Sequence, residues 1–202
     1  MKRKILFSLV FVLAAAAASA LTVLQLNLEQ LTGLSEKVFA GRCVSVEGEK
    51  DAAGRNVTKI TFDVTENLKN TPEKRVTFRQ IGLVDGGDDI GMRGGMRIEG
   101  LDRELPRYEV GEDAIVFLSA PGNSGLTAPV GLNQGKFSVV ADGVSKSVVN
   151  GAGNRGLMIG ADKSVKLKAL ATTSAGKKLV AKNGGDIPYS DFVSLVKTLA
   201  SQ

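Results

Sequence analysis

Apolar and polar residues alternate with period two through three stretches in the first half of the chain, the mark of half-buried strands. Residues 37–47 (KVFAGRCVSVE) place Val38, Ala40, Val44 and Val46 on one face, while Cys43 shares the other with Phe39. Residues 57–66 (VTKITFDVTE) gather Ile60, Phe62 and Val64 opposite Lys59, Thr61 and Asp63, and residues 75–81 continue with Val76 and Phe78. Turn residues separate these runs, Asp51-Ala52-Ala53-Gly54 first and residues 69–73 second. A three-stranded antiparallel meander is therefore predicted. Ahead of it, residues 27–34 (NLEQLTGL) read as a short helix, with Asn27 as cap and Gln30 completing a capping box.

The alternation stops at residues 82–107. Gly82, Gly86, Gly87, Gly91, Gly94, Gly95 and Gly100 stand there among charged and isolated apolar residues, the composition of a long functional or mobile loop. Residues 113–119 (DAIVFLS) are apolar on both faces, as in a strand covered on both sides. A turn at 121–125 leads to a further strand at 126–132. Residues 137–141 and 144–149 flank Asp142-Gly143, which predicts a hairpin with a type I′ turn. Residues 150–186 are rich in Gly, Ala, Ser and Lys and read as weakly packed edge strands or a tether. A closing helix is predicted at 191–200, capped by Ser190, whose stripe of Phe192, Leu195, Val196 and Leu199 should dock on the sheet.

The first twenty residues do not belong to this pattern. Lys2, Arg3 and Lys4 precede an apolar run from Ile5 to Ala18, and the run ends in Ala18-Ser19-Ala20. This is the layout of a secretory signal peptide cut after Ala20. The run is shorter than the roughly 20 apolar residues a membrane-spanning helix needs. No Cys stands at the cut, the only one being the distant Cys43, so a lipid anchor there is not expected, and no second long apolar segment occurs. The expected product is an exported chain, periplasmic or secreted, with no transmembrane segment after cleavage. Its divisions are 1–20 signal peptide, 21–149 β-barrel domain, 150–186 edge or tether segment, and 187–202 C-terminal helix.

Charge and composition narrow the chemistry. The leader removes three of the 26 basic residues, leaving 23 against 21 acidic ones, a net charge of +2. That is not the balance of a nucleic-acid binder, and no nucleic-acid partner is expected. Trp is absent, and Phe39, Phe62, Phe78, Phe117, Phe137 and Phe192 occupy core-like positions rather than a stacking surface. The chain has no His, which excludes His-based nucleophilic machinery and His-liganded metals. The single Cys43 cannot form an internal disulfide and reads as a small buried hydrophobe. Asp85, Asp88 and Asp89 in the Gly-rich stretch could offer oxygens to Ca²⁺, but their spacing is not that of an EF-hand. Glu99, Asp102, Glu104, Glu109, Glu112 and Asp113 could include a carboxylate pair for hydrolysis, although a solvated acidic rim explains them as well. The Lys-rich, acid-free stretch 163–182 could touch anionic envelope surfaces or be plain soluble tail. No residue is assigned a catalytic, cofactor-binding or metal-binding role, and no cofactor is expected.

The runs VFAGRCVSVE, ITFDVTENLKN, VTFRQIG, RYEVGEDAIVFL, GLNQGKFSVV and IPYSDFVSLVKTL follow one another in this order. Together they resemble a family of uncharacterised exported bacterial proteins built on a small β-barrel. Lys69-Asn70 stands where that family often has Lys-Gly, and Tyr108 stands at its aromatic before Gly111-Glu112. More distantly, the helix-plus-meander order is similar to the OB-like barrels of netrin-like domains and tissue metalloproteinase inhibitors. Those proteins carry a disulfide framework, and the inhibitors chelate zinc through an N-terminal Cys; here the mature chain would begin at Leu21 with one Cys in all. The resemblance implies a mainly β fold, an antiparallel meander closing into an OB-like β-barrel with a short N-terminal helix and a C-terminal helix packed on it. The expected role is a non-enzymatic binding protein of the bacterial envelope or secretome with a protein partner, contacted through the 82–107 loop. An inhibitor or accessory protein of a co-exported peptidase is the alternative, and a carboxylate-dependent hydrolase is a third.

Overall fold

The computed structural model describes residues 24–82 and 105–201. The leader, its cut after Ala20, the acids Asp85, Asp88, Asp89, Glu99, Asp102 and Glu104, and most of the Gly-rich stretch lie outside the described residues. Helix α1 (Leu28–Leu34) comes first, followed by strands β1 (Lys37–Lys50), β2 (Asn56–Lys69), β3 (Arg75–Ile81) and β4 (Asp113–Leu118). A 3₁₀ turn (Leu132–Gln134) precedes β5 (Lys136–Asp142) and β6 (Ser145–Asn150). Helices α2 (Val165–Thr172) and α3 (Ser174–Lys182), the two-residue strand β7 (Ile187–Pro188) and helix α4 (Tyr189–Ala200) complete the order.

All ladders are antiparallel, in the order β3-β2-β1-β4-β5-β6-β7. The protein is mainly β, as its alternation predicts, but the sheet does not close into the expected OB-like barrel. Closure requires the two outer strands to pair along their length. Here the edges are β3 and a β7 of two residues, and a single backbone bond, Thr127 N–H to the Arg79 carbonyl (2.8 Å), touches the outer side of β3 among the described residues.

Each face of the sheet has its own core. On one, Phe39, Cys43, Ile60, Phe62, Val76, Phe78, Ala114 and Val116 pack with Tyr108. Tyr108 meets the rings of Phe62 and Phe78 edge-on at 5.8 and 5.7 Å. On the other, Val38, Ala40, Ile115, Phe117, Phe137 and Val148 are covered by the helices. Residues of β4 thus alternate between two cores, which is why that strand is apolar from Ala114 to Leu118. The α4 stripe is buried as the i, i+3, i+4, i+7 pattern predicts, with the Phe192 ring 4.5 Å from Phe137 and 6.2 Å from Phe117. The capping box of α1 forms: Asn27 Oδ1 accepts the Gln30 N–H at 2.8 Å, and Gln30 Oε1 accepts the Asn27 N–H at 3.0 Å.

Several expectations are corrected. The register slips between Cys43 and Ser45, where Val44 is one residue too many for β2. Such a bulge inverts the facing of everything beyond it. Val44 stays on the side of Ala40, but Val46 joins the Phe39 and Cys43 cluster. Residues 126–132 form no strand beyond the isolated Leu118–Pro129 bridge. The β5–β6 hairpin exists, but Asp142 pairs with Ser145, so the turn residues are Gly143-Val144. Only Gly143 has positive φ there (59°), which excludes type I′, since that turn needs it at both positions. Ser190 lies inside α4, which starts after Pro188 without a side-chain cap.

Residues 150–186 are neither edge strands nor a tether. Ser164 and Thr173 cap α2 and α3 by accepting the Leu167 and Gly176 N–H groups, and Leu167, Leu170 and Leu179 enter the helix-side core. Asn154 secures the preceding turns: it is buried and donates to the carbonyls of Val148 (2.7 Å) and Gly185 (2.9 Å).

Candidate functional site

Helix α4 covers part of the helix-side face of the sheet, and the rest lies open as a groove of about 550 Å³. Its lining comes from β1 (Ala40, Gly41, Arg42, Val44), β2 (Asp63, Thr65, Glu66), β4 (Asp113, Ala114), β5 (Val139), β6 (Lys146) and the first residue of α4 (Tyr189). Ala40, Gly41 and Ala114 present almost no side chain. Gly41 sits where β1 and β2 approach so closely that a Cβ would lie 2.6 Å from the Asp63 carbonyl oxygen. The local sequence therefore requires glycine at that position for steric reasons.

Register aligns charges of alternating sign across four strands. Arg75 on β3 lies opposite Asp63 on β2, Asp63 opposite Arg42 on β1, and Arg42 opposite Asp113 on β4. Opposite charges at directly facing positions support a sheet. Arg75 Nε donates to Asp63 Oδ1 at 2.6 Å, and Arg42 holds Asp113 with two bonds, at 2.8 and 2.9 Å. These hydrogen bonds hold both Asp carboxyls below the usual carboxylate range, and the charge of Lys146 adds to the effect at Asp113. At the far end, Glu66 accepts from the Tyr189 hydroxyl (3.0 Å) and from Lys197 Nζ (2.7 Å). Burial, then the bond to Glu66, pushes the Tyr189 phenol upward, so it stays a proton donor. The groove thus combines fixed ionised charges and a phenolic donor over a bare floor.

No known family, curated protein or solved structure matches the chain.

The residues singled out from sequence fall in different places. Asp113 belongs to the groove. Glu112 instead points to the start of β5, where its carboxylate meets Lys136 Nζ at 2.8 Å and accepts the Glu109 N–H at 3.1 Å. Glu112 and Asp113 are neighbours in sequence yet serve different cations. Lys136 also donates to the Arg107 carbonyl (2.5 Å) and lies 4.9 Å from the centre of the Tyr108 ring. Cys43 is buried beside this cluster. Burial first, and Glu112 next, raise its thiol, so that the opposing effect of Lys136 does not make it a thiolate. The Tyr108 hydroxyl and Gln80 Oε1 are buried without a hydrogen-bond partner among the described residues. No group of three or more Cys, Asp or Glu side chains among the described residues is placed to hold a metal ion. The six core Phe residues are all buried. No helix among the described residues is long and apolar enough to cross a membrane.

Sequence reading missed the groove. Its contacts span 71 residues between Arg42 and Asp113 and 123 between Glu66 and Tyr189, so no local pattern encodes them. One signal was available: Arg42, Asp63 and Arg75 are polar positions on successive strands of one meander.

Proposed function

We propose that this chain is an exported, non-enzymatic binding protein of the bacterial envelope or secretome, and that the groove is a contact surface for a protein partner. One observation carries the reading: the charged row from Arg75 to Asp113 presents paired side chains of opposite charge beside a floor of Ala and Gly. A general acid or base works best with its pKa near the operating pH. Asp63 and Asp113 are displaced away from that range, and Tyr189 away in the other direction. Fixed charges at strand spacing suit recognition of a polar polypeptide surface instead. The Gly-rich stretch that the sequence marks as a contact loop is a second arm of the same proposal.

The test uses the chain from Leu21 onward, tagged and incubated with envelope extract, with captured proteins identified by mass spectrometry. Val44→Arg with Lys146→Glu fills the groove and reverses one of its charges without touching a core residue. Capture should drop about tenfold, the scale of losing a charge-complementary contact of about 1.4 kcal/mol. A companion variant replaces residues 84–104 by a Gly-Ser linker and separates the loop from the groove. A correctly melting groove variant that captures the same partner equally well refutes the groove as the contact surface. Failure of both variants to change capture refutes the binding reading built on them.

A further inference from the structure

The α2–α3 unit concentrates charge that the rest of the chain lacks. Residues 151–185 hold seven Lys and Arg against one acid, Asp162, a net charge of +6. The chain from Leu21 as a whole is only +2. Exposure arranges this charge outward. Leu167, Leu170 and Leu179 face the core, while Lys163, Lys168, Lys177 and Lys182 are exposed. Lys178 is also exposed but is paired with Asp191 at 3.2 Å. Two aliphatic side chains stand out of the same helices into solvent, Val165 (85 % exposed) and Val180 (50 %). The two helices are tightly joined, since a Cβ on Gly176 would meet the Leu170 carbonyl oxygen at 1.9 Å.

We infer that the α2–α3 pair is a membrane-docking face, and that its occupant is a bilayer leaflet carrying anionic headgroups. Lysines near such a surface contribute attraction that falls off within a Debye length. Apolar side chains interleaved with them enter the headgroup boundary without spanning it. Outside this unit the described residues balance 13 basic against 14 acidic side chains, so the net positive charge of the described structure sits on the helix pair. This surface belongs to different elements from the groove, and its test is independent of the capture experiment.

The measurement is co-sedimentation of the mature chain with vesicles of phosphatidylcholine alone or with about a third phosphatidylglycerol, at low and physiological salt. Binding is expected only to the anionic vesicles, and weaker at the higher salt. Lys168→Gln, Lys177→Gln and Lys182→Gln together should weaken it on the order of a hundredfold, about fivefold for each lysine. These side chains are exposed, so melting should be unchanged, and Val165→Ser with Val180→Ser gives a charge-preserving second variant that should also weaken binding. Equal binding to neutral vesicles, no binding to anionic ones, or triple-variant binding equal to that of the parent overturns the inference. So does binding to duplex DNA as tight as to the vesicles, which would make the patch a general polyanion site.

Discussion

The ion pair between Lys136 and Glu112 fastens the segment entering β4 to the start of β5, and its removal should be costly in a specific way. The two side chains are only 11 % and 19 % exposed and lie 2.8 Å apart. Lys136→Met keeps the aliphatic length beside Tyr108 but leaves the Glu112 carboxylate without its cation and the Arg107 carbonyl without its donor. Breaking a buried pair from one side costs roughly 3–5 kcal/mol. Residual solvent access places this one at the lower end, about 3 kcal/mol. Glu112→Gln is milder, about 1 kcal/mol, because its amide oxygen still accepts the Glu109 N–H and Lys136 still donates to Arg107. In the double variant no charge is stranded, so its cost should be about 2 kcal/mol and the coupling energy about 2 kcal/mol, as for groups sharing one network. Urea unfolding of the four proteins measures this directly. Additive single costs, within about 0.5 kcal/mol, would show that the pair is solvated and that the clamp is not a unit.

Three further outcomes follow from the same packing. Phe192→Ala should cost about 3–5 kcal/mol in urea unfolding, because it empties the space between α4 and the rings of Phe117 and Phe137; a cost under about 1 kcal/mol would mean the helix is not docked. The Cys43 thiol, buried and raised by its surroundings, should react with a thiol reagent on the order of a hundredfold or more slower in the native chain than in urea, since access requires an opening that costs several kcal/mol. Equal rates would refute its burial. Asp63 and Asp113 bind protons less readily folded than unfolded, so their contribution is present above the unfolded value near about 4 and is lost as pH falls through the lower folded value. The stability gap between the parent and Arg42→Gln/Arg75→Gln should therefore narrow on acidification below about pH 4, and a gap that widens would contradict the assigned pairing.

What the sequence displayed and what it concealed divide by range. The meander, the doubly apolar β4, the capping box at Asn27 and the stripe on α4 are period-two or period-3.6 patterns that a few consecutive residues carry in full. The bulge at Val44 is not of this kind: one surplus residue inside a continuous strand moves Val46 to the opposite face without changing composition. Helices α2 and α3 escaped for a thermodynamic reason. Segments this short are marginal alone, and most of their stability comes from packing. Their three core leucines become meaningful only against a core supplied by β4, β5 and α4. Ser164 and Thr173, each three residues ahead of the N–H it caps, were the local signal that could have revealed them.

Closure into a barrel is what the resemblance implies. The sheet ends open because its edges are β3 and a β7 of two residues, and element lengths bear instead on how much of the helix-side face is covered. β1 and β2 each have 14 residues, about 46 Å at roughly 3.3 Å per residue, whereas α4 has 12 residues, about 18 Å at 1.5 Å each. Helix α4, with α1 to α3 beside it, leaves part of the face along the long strands uncovered. The uncovered part cannot be apolar in a folded chain exposed to water, and midway along β1 and β2 the register sets Arg75, Asp63, Arg42 and Asp113 in a row. The groove is therefore the part of the helix-side face that no helix covers, and its charged lining is what keeps that surface compatible with water.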